Sequence, residues 1–107
     1  MSLKQDLIKL LANNKIEVKY TDVIINNYNT TGLNTIDLFF RYKEAKVFYL
    51  YTWYTKGNTV NAKLTIDNMN KLNASDLEKI NHILFASKVL IEQEVKTIKD
   101  GQQQHIV

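Results

Sequence analysis

Two histidines, His82 and His105, are the first residues to weigh for chemistry, because imidazole titrates near neutral pH and is the commonest protein metal ligand. Four residues from His82 stand Glu78 and Ala86, so a single carboxylate shares its helical face and no second ligand does. That spacing reads as a surface salt bridge. His105 lies in a polar end segment with no fixed neighbour. General acid–base work needs two carboxylates held close together. Asp37, Asp67, Asp76 and Glu78 instead fall at strand or helix ends, where capping and solvation account for them. Ser75 and Ser87 have no base at a useful spacing, and the absence of cysteine removes thiol catalysis, thiolate metal sites and disulfides together. Gly32 stands alone between Thr31 and Leu33, with no GxGxxG or Walker pattern to cradle phosphate. The expectation is a protein without catalysis, cofactor or metal.

What the sequence does concentrate is aromatic side chains: the stretch Phe39 to Tyr54 holds eight of the eleven. Such rings suit a pleated surface and bury large areas, so the stretch predicts a buried hairpin turning at Lys43 to Lys46. Ile36, Leu38, Phe40 and Tyr42 alternate with Asp37, Phe39, Arg41 and Lys43, which places the even residues of this strand on the core side. The following strand, Val47 to Tyr54, is apolar on both faces. A three-residue loop at Thr55-Lys56-Gly57 would bring its even residues into register with the even residues Val60, Ala62, Leu64 and Ile66 of the next strand. A two-residue turn at Gly57-Asn58 would reverse the parity. We expect the first, because Phe48 and Leu50 carry no polar atom to satisfy. Tyr49, Tyr51, Trp53 and Phe39 would then form an exposed aromatic surface beside Arg41.

Elements to position these strands are legible on either side. Ser2-Leu3-Lys4-Gln5 matches a capping box before a helix with Leu3, Leu7, Leu10 and Leu11 on one face, ending near Asn13-Asn14. Ile16, Val18 and Tyr20 alternate with Glu17 and Lys19, predicting a first strand that continues to Ile25, and Asn26 to Gly32 reads as an exposed turn. A second capping box, Asn73 to Asp76, opens a long helix stopped at Gly101. Its stripe of Leu77, Ile80, Leu84, Ile91, Val95 and Ile98 faces the sheet, with Ile83 and Leu90 flanking it. Phe85 and Val89 lie on the opposite side. The C-terminal half of the helix is expected to overrun a sheet whose strands have five to nine residues.

The fold expectation is α+β: a helix, a four-stranded antiparallel meander and a long helix, both helices on one face of the sheet. Residues 1–101 form one domain and 102–107 a flexible tail. The order of elements resembles that of double-stranded-RNA-binding domains, from which the chain departs by an extra strand. It departs also by Asn73-Ala74-Ser75-Asp76 where those domains carry a lysine cluster.

Composition sets the remaining bounds. Net charge is +3, but thirteen of fourteen basic residues are lysine, which argues solubility before base or phosphate recognition. No apolar run approaches a membrane span, and the N-terminus lacks a signal-peptide pattern, so a cytoplasmic protein is expected. The function expected is a small interaction protein that binds a protein partner or its own copy. The contact residues would be Phe39, Arg41, Tyr49, Tyr51 and Trp53 on the sheet and Phe85 and Val89 on the last helix. Nucleic-acid binding through sheet aromatics and lysines is the alternative, and an enzyme with an unrecognised site the third.

Overall fold

A computed structural model describes residues 2–28, 31–55 and 60–104, with side chains described through Thr97 except at Val60. Helix α1 (Leu3–Asn13) starts as its sequence demands: the Ser2 hydroxyl accepts from the Gln5 amide and the Gln5 side chain accepts from the Ser2 amide. Leu3, Leu7 and Leu11 are buried along one face. The chain then makes a left-handed turn at Lys15, with φ 64°, and buries Ile16.

Strands β1 (Asp22–Tyr28), β2 (Leu33–Tyr42), β3 (Ala45–Tyr54) and β4 (Val60–Asp67) form an antiparallel meander in sequence order. The expected first strand is corrected here. Val18–Tyr20 is a turn of 3₁₀-helix, and β1 begins only at Asp22 and runs on through Asn26 and Asn27 to Tyr28. Pairing with Asn34 and Thr35 overrides the turn preference of the two asparagines, and Asn26 donates to the Thr35 hydroxyl at 3.3 Å. Gly32, at φ 71°, receives the reversal, and its carbonyl accepts from the Thr55 amide at 2.8 Å and from Asn34 Nδ2 at 3.1 Å.

The inner face of β2 carries the even residues Ile36, Leu38 and Phe40, all buried as expected. On β3 the expectation fails. Val47, Tyr49, Tyr51 and Trp53 point inward, and Phe48, Leu50 and Tyr54 are exposed. The cause is the β2–β3 turn. Tyr42 pairs with Ala45, so Lys43-Glu44 is a two-residue loop, and such a loop sets even residues of one strand opposite odd residues of the next. The β3–β4 register agrees, with Tyr49 opposite Leu64 and Trp53 opposite Val60. The loop at Thr55-Lys56-Gly57 on which the expectation rested lies mostly outside the described residues. The polar penalty that seemed to forbid this parity is small: among the described residues, Trp53 Nε1 is the one buried side-chain polar atom without a partner, at a cost of about 1–3 kcal/mol.

Helix α2 (Ala74–Gln104) lies on the inner face beside α1. Ile80, Leu84, Ile91 and Val95 of the predicted stripe are buried, as is Ile83 from its flank; Leu77 is half-buried and the side chain of Ile98 lies outside the described residues. Two details are corrected. The helix passes through Gly101 instead of stopping there. Ile91 and Val95, at 0% and 6% exposure, do not overrun the sheet. The reason is strand length: β2 and β3 have ten residues each, spanning ~33 Å at 3.3 Å per residue, and so match about 22 of the 31 residues of α2 at 1.5 Å each, which leaves an overrun only of roughly the last nine. The predicted tail begins inside the helix, and residues 105–107 lie outside the described residues. No helix of the described residues is long and apolar enough to cross a membrane.

This packing predicts that Leu84→Ala or Ile91→Ala costs about 2–5 kcal/mol in urea melts, as truncations in a filled core do. A loss below about 1 kcal/mol at both positions would show that the helix rests on the sheet by another face.

Candidate functional site

The outer face of the sheet is covered by no helix of the described residues, and its register can be read row by row. One row runs Asp22, Phe39, Phe48, Thr65 from β1 to β4, and the next runs Ile24, Asp37, Leu50, Lys63. Phe39 and Phe48 are directly opposite, their rings 5.0 Å apart and tilted by 42°, a favourable aromatic geometry. With Ile24 and Leu50 they give an open concavity of about 550 Å³ its apolar surface; Asp22, Lys46 and Lys63 also line it, and Asp37 stands between Ile24 and Leu50. Phe48 is 41% exposed and Ile24 46%.

The sequence-predicted contact residues divide between the two faces. Phe39 lies on the outer face within the concavity. Arg41 is on the same face, with its guanidinium 4.8 Å from the Tyr20 ring centre, a cation–π contact that ties the 3₁₀ turn to β2. Tyr49, Tyr51 and Trp53 are in the core, at 8%, 2% and 1% exposure, and form no exposed aromatic surface. Burial raises the phenol pKa of Tyr49 and Tyr51, and the negative charge of Glu92 on α2 raises both further. Phe85 and Val89 are exposed on α2, Phe85 at 70%, and α1 does not take up Phe85 within the chain. Phe48, Leu50 and Ile24 are the surface residues that sequence reasoning missed. For Phe48 and Leu50 the signal is the length of the Lys43-Glu44 turn, which sets the parity of β3; Ile24 follows from the register of β1 on β2.

One charged cluster is partly buried, at the turn end of the sheet. Asp76 caps α2 with Asn73: the Asp76 amide donates to Asn73 Oδ1 at 2.8 Å and the Asn73 amide donates to Asp76 Oδ2 at 3.0 Å. The same carboxylate accepts from Lys43 Nζ at 2.9 Å and from the Tyr42 hydroxyl at 3.2 Å. The Lys43 hydrogen bond, then the Asn73 amide, hold the Asp76 pKa below the ordinary carboxylate value. Burial, then the hydrogen bond to Asp76, push the Tyr42 phenol up, the opposite of what a tyrosine base requires. The cluster therefore fastens the hairpin to the helix. Local spacing could not reveal it, since Asp76 lies 33 and 34 residues from its hairpin partners.

The other candidates for chemistry stay apart. Glu78 and His82 are exposed and form no ion pair among the described residues, and His105 lies outside them. No three His, Asp or Glu side chains of the described residues converge as metal ligands would. No family model, curated protein or solved structure matches the chain.

Because the folded pKa of Asp76 is depressed, its contribution to stability is present above the unfolded-state value near 4 and is lost as pH falls through the folded value. The wild-type melting temperature should accordingly fall below about pH 4, and Asp76→Asn should be less stable at pH 7 with a flatter acid limb. Parallel acid limbs for the two proteins would remove Asp76 from this role.

Proposed function

We propose that the chain is a non-catalytic interaction protein that binds a protein partner through the outer face of its sheet. The observation that carries this reading is the cluster of Ile24, Phe39, Phe48 and Leu50 around Asp37 on a face that neither helix covers. An exposed cluster of apolar side chains among polar groups has the composition of a contact surface, with aromatic anchors beside charges. Acid–base chemistry would need a pair of carboxylates held together in an enclosed site, and Asp22 and Asp37 stand on different strands and line an open concavity.

Charge favours a protein over a nucleic acid. The cations of the outer face, Arg41, Lys46 and Lys63, are matched in number by Asp22, Asp37 and Asp67, and Arg41 is already engaged by Tyr20. A face that followed a phosphate backbone would carry a net positive stripe.

Phe48→Glu tests the reading: it removes the Phe39–Phe48 pair, at a cost of about 0.5–1.5 kcal/mol, and should leave the protein folded, which a melt checks. Wild type should retain a protein partner in cross-linking and affinity capture, and Phe48→Glu should lose it. Retention by the variant would move the contact off this face. Salt-sensitive binding of single-stranded nucleic acid by wild type, weakened by Phe48→Glu, would favour the alternative.

A further inference from the structure

Strand β4 ends the sheet: among the described residues no strand pairs with its free edge, and its inner side is covered only in part, with Ile66 half-buried against the core. Ala62 is exposed and Leu64 is 43% exposed, although both share the inner face with buried residues of β3. An edge of this kind is a template for a further strand, and proteins guard such edges with charge, usually lysine. Lys63 is the guard here. Asp67 stands four residues on and faces the same way, about 13 Å distant at 3.3 Å per residue, and neither takes part in an ion pair among the described residues.

We propose that two copies of this chain associate through β4, the strands pairing antiparallel about a two-fold axis at Thr65 so that the two sheets become one. In that register Lys63 of each copy stands opposite Asp67 of the other, and Leu64 stands opposite Ile66. The guard charges are neutralised twice, and the exposed inner-face side chains gain apolar neighbours. Moving the axis to Leu64 or Ile66 leaves both charges unmatched, and moving it to Lys63 or Asp67 sets like charges against each other. The other edge, β1, carries Asp22 and no cation, so it has no equivalent self-complementary register.

Main-chain pairing alone falls short of the ~1,200–2,000 Å² that stable interfaces bury. Helix α2 can supply the remainder. Helix α1 contacts both β1 and α2, so α2 takes the β3 and β4 side of the inner face, and Phe85 is exposed on it. In the joined sheet the two β3 strands are three spacings apart, ~14 Å, little more than one helix diameter of about 10–12 Å. The two α2 helices then run side by side above the paired edges, with Phe85, 70% exposed in the single chain, at their flanks. The inference rests on the β4 edge and not on the outer-face reading, although Lys63 belongs to both, and it would place two such faces on one surface.

Sedimentation should give the wild type twice the 12.5 kDa chain mass. Lys63→Asp and Asp67→Lys should each raise the dissociation constant roughly ten- to a hundredfold, since each sets two like-charge pairs across the edge. An equimolar mixture of the two variants should associate again, because every pair across the edge is then opposite in sign. The double variant Lys63→Asp/Asp67→Lys should dimerise like wild type, which also checks that both positions tolerate the exchange. A wild type that stays monomeric at its highest soluble concentration overturns the proposal. Single variants as dimeric as wild type, or a mixture that fails to associate, do so equally.

Discussion

The two-residue turn at Lys43-Glu44 governs which half of every side chain in β3 belongs to the core. Lys43 takes a left-handed conformation, with φ 54°, which a two-residue hairpin loop requires of its first residue and which costs a lysine about 1–2 kcal/mol. The fold secures it from both sides. Asp76 of α2 holds the Lys43 ammonium at 2.9 Å, and Asn68 Nδ2 donates to the Glu44 carbonyl at 3.2 Å. The cap of the long helix and the turn of the central hairpin are thus one structure. Helix docking and strand register are set together, and the outer face follows from them.

Much of this was legible in the residues. Both capping boxes, at Ser2 and at Asn73, appear with the predicted partners, because a cap is a local arrangement of three or four residues. The even face of β2 and the stripe on α2 follow from periodicity, which is also local. The failures share a different cause. Val18 and Tyr20 alternate like a strand but have no neighbouring strand to pair with, and their short 3₁₀ turn carries Tyr20 to Arg41 instead. Strand β3 is apolar on both faces, so its own pattern could not choose a side. The decision lay with a turn whose residues, Lys-Glu, carry none of the usual glycine or asparagine signal.

The parity has a functional consequence. With Tyr49, Tyr51 and Trp53 spent on the core, the polar ends of three large rings are lost to the surface. What remains outside is an aliphatic and phenylalanine cluster among balanced charges. Such a face is suited to another protein's apolar side chains more than to stacked bases on a phosphate chain. The candidate site is therefore a by-product of register: shift β3 by one residue and the contact surface would become the core.

Trp53 is the only tryptophan, so its accessibility reports the parity directly. Fluorescence quenching by iodide is the measurement closest to the central claim. The structure, with Trp53 at 1% exposure, predicts blue-shifted emission that iodide quenches little until the chain unfolds. Emission and quenching in the native protein equal to those of the denatured chain would put Trp53 outside. That result would place Phe48 and Leu50 in the core and contradict the outer-face account.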